Sequence, residues 1–191
     1  MTASQAKAIV IGASAGALEA LSAVLTTLPA NFKLPVFVVV HVPPDKRSVL
    51  AELFQAKCQV DVREIEDKEP IEPGTIYFAP PDYHVLVESE ESLSLSSDEP
   101  VLFSRPSIDV LFESAADVYG PGLIGVILTG ANQDGAQGAR AITDAGGVVL
   151  VQDPLKAFSS AMPEAAIALC PGAAVMSLSE IADYLREGTA R

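Results

Sequence analysis

Residues 7–18 read K-A-I-V-I-G-A-S-A-G-A-L. Lys7–Ile11 is an apolar, β-prone run, and a helical pattern rich in Ala and Leu begins at Ala17 and continues to Leu28. Between them stands Gly12-Ala13-Ser14-Ala15-Gly16. Small residues let the backbone bend sharply from strand into helix. A serine at such a bend is pushed into the open, and backbone N–H groups at the helix start are aimed where an oxyanion could form. Taken alone, the turn has an equally good structural explanation, in which Ser14 caps the helix.

The alternation of strand and helix continues along the chain. Pro35–Val40 is nearly continuous in valine, the pattern of a strand covered on both faces. A helix is expected over Lys46–Gln55, an edge strand or exposed loop over Gln59–Ile65, and a strand over Gly74–Ala79. Val85–Val87 and Leu93–Leu95 read as a hairpin joined by Glu88–Ser92. Helix Ser107–Tyr119, strand Gly122–Leu128, helix Ala136–Ala145 and strand Val148–Gln152 follow. A short strand, Ala173–Met176, lies between helices Pro163–Leu169 and Ser179–Glu187. The fold class is therefore α/β, doubly wound, with a mainly parallel sheet flanked by helices. The hairpin would add an antiparallel piece and make the sheet mixed. A single domain over residues 1–191 suits the length, with 1–6 as a flexible tail.

Composition narrows the function. Lys and Arg number 12 against 25 Asp and Glu, a formal charge of -13 that repels phosphate backbones. Nucleic acid is not an expected partner. No apolar run approaches the roughly 20 residues of a membrane span, and the start has no secretory pattern, so a cytoplasmic location is expected and membrane insertion is not. Cys58 and Cys170 lack metal-ligand spacing and read as reduced thiols.

Two familiar uses of a Gly-rich first turn are disfavoured. A dinucleotide site needs G-x-G-x-x-G and an acid near the end of the second strand; here position 14 is Ser and that strand ends in His41. An α/β-hydrolase needs a late histidine, and none follows His84. The two histidines differ in setting. His41 ends the Val-rich strand before Val42-Pro43-Pro44, whereas His84 opens the hairpin, where a hydrogen-bonded structural residue is the expectation. The third candidate is Asp134, presented by Thr129-Gly130-Ala131-Asn132-Gln133 after a strand; the alternative is a helix cap. In a doubly wound sheet, ligands bind beyond the carboxyl ends of the strands where strand order reverses. With order 3-2-1-4, the strand ends carrying Ser14, His41 and Asp134 lie side by side, and nucleophile, base and orienting acid meet.

These residues resemble the catalytic domain of the chemotaxis protein-glutamate methylesterase family. The landmarks are I-G-A-S-A-G at 11–16, V-H-V-P-P at 40–44, E-P-G-T-I-Y-F-A-P-P-D-Y-H at 72–84, R-P-S-I-D at 105–109, L-T-G-A-N-Q-D-G at 128–135 and A-M-P at 161–163. The resemblance implies a triad of Ser14, His41 and Asp134 and an oxyanion hole that uses the backbone of Ala131 with that of Ala15 or Gly16. It implies hydrolysis of glutamate methyl esters on chemotaxis-type receptors or related signalling proteins, and deamidation of receptor glutamines. No metal or organic cofactor is required. The chain departs from the pattern at Ala15-Gly16-Ala17, where the family usually has Thr and then Gly-Gly, and at Ala131, where Met is frequent. Arg105 is a candidate for holding an acidic substrate segment, with a surface ion pair as the alternative. The 191 residues leave no room for the N-terminal receiver domain of most members, so a separate receiver protein is a candidate partner. The competing reading is a non-enzymatic flavodoxin-like binding module.

Overall fold

The computed structural model describes residues 6–41 and 48–187. Residues 1–5 of the expected tail, and the start of the helix expected from Lys46, lie outside them. Ala6 packs against the core.

The described residues form nine strands and six α-helices: β1 (Ala8–Ala13), α1 (Ala17–Leu25), β2 (Val36–Val40), α2 (Leu50–Gln55), β3 (Asp61–Glu64), β4 (Thr75–Phe78), β5 (His84–Ser89), β6 (Ser92–Ser96), α3 (Ile108–Tyr119), β7 (Leu123–Ile127), α4 (Ala136–Asp144), β8 (Val148–Gln152), α5 (Ala161–Leu169), β9 (Ala174–Met176) and α6 (Leu178–Glu187). Seven strands form one sheet in the order β3-β4-β2-β1-β7-β8-β9, and every pairing in it is parallel. Every residue of β1, β2 and β7 is buried, as expected when helices cover both faces. Alternate side chains feed two cores. Ala8 and Val10 join the layer under α3, α4 and α5, while Ile9, Ile11 and Ala13 join the layer under α1, α2 and α6.

The expected mixed sheet is not what forms. The hairpin β5–β6 is a separate two-stranded antiparallel sheet. β4 already has β3 on one side and β2 on the other, so it offers the hairpin no free edge. The hairpin instead buries Val85, Val87 and Leu93 with α3. Gln59–Ile65 resolves to the edge strand β3. Helix α1 stops at Leu25, short of Leu28: the N–H groups of Thr27 and Leu28 bond to carbonyls only three residues back, and Pro29 follows.

Candidate active site

The sheet's register sets Ser14 and His41 at adjacent strand ends. Ala13 of β1 pairs with Val40 of β2, so the next residues, Ser14 and His41, leave adjacent strands at the same level. The His41 N–H donates to the Ala13 carbonyl at 3.2 Å. On the other side of β1, Leu128 N–H donates to the Gly12 carbonyl and Ser14 N–H to the Thr129 carbonyl, both at 2.9 Å. Ser14 therefore sits between the end of β2 and the loop leaving β7. This is where strand order reverses, with β2 and β4 on one side of β1 and β7 and β8 on the other.

His41 Nε2 stands 2.7 Å from Asp134 Oδ2. The Asp134 side chain is fully buried and that of His41 is 12% exposed. The carboxylate is fully occupied: Oδ1 accepts from Ser107 Oγ (2.9 Å) and Asp109 N–H (3.0 Å), and Oδ2 from Ile108 N–H (2.7 Å) and His41. Two of these donors are the first N–H groups of α3, where the helix dipole favours an anion. Burial pushes the Asp134 carboxyl up, but His41 and the N–H groups of Asp109 and Ile108 outweigh it and hold the group below its ordinary value. Asp134 is thus an anion at neutral pH, with His41 presenting an N–H to it.

A second carboxylate answers the first. Asp109, in the first turn of α3, accepts from Gly135 N–H (2.9 Å) and Gly138 N–H (2.7 Å) at the start of α4. Each helix start is therefore capped by a carboxylate from the other helix's side of the contact. Gly135 takes φ 97°, a conformation that favours glycine, and this lets the chain turn directly after Asp134. Burial, with the charge of Asp134 adding to it, pushes Asp109 up to about 6 against the pull of Gly138 and Gly135.

The folded-state value of Asp109 lies above its unfolded value. Its contribution to stability is therefore present in acid and is lost as pH rises through about 6. Asp109→Asn removes the charge and keeps a carbonyl oxygen for both glycine N–H groups. We expect wild type and variant to have similar stability near pH 4, and the variant to be more stable at pH 8 by on the order of 2 kcal/mol. Thermal unfolding of both proteins across that range checks it. A variant less stable than wild type at pH 8 would contradict this account.

Of the expected oxyanion residues, Ala15 and Gly16 are half-buried and Ala131 is exposed. Among the described residues, none accepts a hydrogen bond from their N–H groups. Gly16 takes φ 83°, and a side chain there would meet Phe158, whose Cβ lies 2.6 Å from the position of an added Cβ. The Ala15 carbonyl is held by Thr129 Oγ1 at 2.7 Å, and Thr129 N–H is held in turn by buried Gln152 at 2.8 Å. An open cleft of about 510 Å³ beside Ser14 is lined by Leu18, Val40, Leu50 and Phe158, and Phe158 is 80% exposed.

Arg105 does not stand free for a substrate. Its guanidinium donates to Asp82 Oδ1 through Nε (3.1 Å) and one terminal nitrogen (2.7 Å), and to the carbonyls of Ser97 and Asp98 through the other. Three contributors to the site carried no assigned role in the sequence: Ser107, Asp109 and Phe158. The first two lie inside R-P-S-I-D, where Ser107 reads as a helix cap; Phe158 gives no local signal.

No helix among the described residues is long and apolar enough to cross a membrane. Among the same residues, no three His, Cys, Asp or Glu side chains gather as a metal site would require.

The chain is similar to known proteins over nearly its whole length. The CheB methylesterase family matches residues 9–185. A Leptospira interrogans protein, provisionally named a protein-glutamate methylesterase/protein-glutamine glutaminase, is 47% identical over 177 residues, covering 93% of this chain and 92% of that protein. The protein-glutamate methylesterase/protein-glutamine glutaminase of Archaeoglobus fulgidus is 36% identical, covering 93% of this chain but only 52% of its own length. The CheB methylesterase catalytic domain of Thermotoga maritima superposes with a TM-score of 0.90 at 32% identity, covering 95% of this chain and 98% of that domain. None of these comparisons supports the non-enzymatic reading. The fold, the order of the motifs and these relatives agree: the chain belongs to the CheB methylesterase family.

Proposed function

We propose that this chain hydrolyses glutamate γ-methyl esters on chemotaxis-type receptors, with Ser14 as nucleophile, His41 as base and Asp134 as the acid that orients it. The observation that carries the reading is the 2.7 Å contact of His41 with the buried Asp134, at a strand end in register with Ser14. Because the carboxylate accepts, His41 Nε2 carries a proton and Nδ1 is left as the basic nitrogen.

Ser14 Oγ attacks the ester carbonyl and Nδ1 of His41 takes its proton. Asp134 keeps the imidazole in this tautomer and stabilises the imidazolium. The N–H groups of Ala15 or Gly16 and of Ala131 stabilise the oxyanion. His41 returns the proton to the departing methoxide, so methanol leaves and an acyl-serine remains. Water, deprotonated by the same imidazole, then releases the glutamate carboxylate and restores Ser14. A glutamine side chain would form the same acyl-serine with ammonia as leaving group, which fits the double name of the relatives. The apolar cleft beside Ser14 suits the methyl group and the apolar side of a receptor segment.

The test is methanol release from membranes bearing methylated receptors. Release that depends on the purified protein is the expected result. Intact methyl esters after prolonged incubation would contradict the reading.

A further inference from the structure

We propose that His84 is a positioning residue for this reaction, acting on Asp134 through Ser107. The proposal rests on the triad reading above. His84 opens β5 and is only 2% exposed. Both ring nitrogens are engaged: Ser107 N–H donates to Nδ1 at 3.1 Å, and Nε2 stands 3.0 Å from the Glu99 carbonyl. A backbone N–H can only donate and a carbonyl can only accept. The ring is therefore neutral, with its proton on Nε2. One imidazole joins residue 99 to residue 107 across the loop that leads into α3.

Ser107 is where this matters. It is fully buried and is the N-cap of α3. Its N–H would be an unpaired buried donor without the histidine. Its hydroxyl, with the next two N–H groups of the chain, supplies three of the four hydrogen bonds on Asp134. His41 takes the fourth. A carboxylate held at every position cannot turn to compensate if residue 107 moves. Displacing Ser107 therefore displaces Oδ2, and with it the imidazole that serves Ser14.

The two hydrogen bonds of His84 can be separated by substitution. An asparagine at this position places a carbonyl oxygen where Nδ1 stands and keeps an acceptor for Ser107. A glutamine places an amide nitrogen where Nε2 stands and keeps only the donor to Glu99. His84→Asn is expected to retain kcat within about threefold of wild type, whereas His84→Gln and His84→Ala lose about tenfold, with KM unchanged within about twofold. The far-downfield proton resonance of the His41–Asp134 hydrogen bond is expected to shift in the Gln and Ala variants and to stay in the Asn variant. Kinetics are compared at a temperature where circular dichroism shows each variant folded; should the Ala variant fail to fold, the Asn and Gln pair decides.

Wild-type kcat in folded His84→Gln, or an Asn variant impaired as much as the Gln variant, would overturn the proposal. An inactive wild type, or an active Ser14→Ala, would instead overturn the triad reading. The resonance would then still decide whether His84 governs the His41–Asp134 pair.

Discussion

Ser14→Ala is expected to lower the rate of ester hydrolysis by roughly 10³-fold or more, because no neighbouring group replaces a lost nucleophile. The fold should be unaffected. The hydrogen bonds that hold residue 14 are made by its backbone: its N–H to the Thr129 carbonyl, and its carbonyl to the Ala17 N–H. Alanine keeps both, and Ala13 and Ala15 already flank the position. Stability within about 1 kcal/mol of wild type is therefore expected, as for a substitution that empties no core site and orphans no buried group. Demethylation of receptor membranes, measured beside thermal unfolding, separates loss of chemistry from loss of structure. A folded variant with activity within tenfold of wild type would remove Ser14 from the mechanism.

Asp134→Asn should be nearly as severe, for a different reason. The carboxylate accepts four hydrogen bonds, and an amide has one accepting oxygen and one donating nitrogen. Turned one way, the new NH2 meets His41 and demands that Nε2 accept. The imidazole then carries its proton on Nδ1 and has no lone pair for Ser14. Turned the other way, the NH2 faces the Ser107 hydroxyl and the Asp109 N–H, and a buried donor is left unpaired at a cost of about 1–3 kcal/mol. We expect kcat to fall by roughly 10³- to 10⁴-fold, as when a triad acid is made neutral and the histidine takes the wrong tautomer. Lower thermal stability should accompany it. This is the reverse of Asp109→Asn, where removing the charge relieves a buried carboxylate. Equal behaviour of the two variants would mean that the two carboxylates have not been told apart.

What the sequence could convey depended on distance along the chain. The parallel sheet was readable because each buried strand announces itself locally, as Val36–Val40 does. Ser14, His41 and Asp134 could be singled out because each follows a strand, and the rule that strand ends share one rim brings distant residues together. Whether the hairpin joins the main sheet was not readable, since that turns on β4 being flanked on both sides. Nor was the mutual capping of α3 and α4. Ser107 carries the signature of a cap for its own helix and makes that bond to Val110, but nothing local says that the same hydroxyl holds Asp134, 27 residues on. His84 similarly reads as part of a hairpin, and only the folded chain places it against the start of α3.

In the proposed mechanism Ser14 is the nucleophile and His41 activates it. The most direct measurement is covalent labelling with a fluorophosphonate, followed by peptide mass spectrometry, in wild type, Ser14→Ala and His41→Gln. One adduct is expected on the peptide containing Ser14 and none in Ser14→Ala, with labelling slowed by at least about 10²-fold in His41→Gln, since the hydroxyl then lacks its base. An adduct on a different serine, or labelling of Ser14 at an undiminished rate without His41, would contradict it.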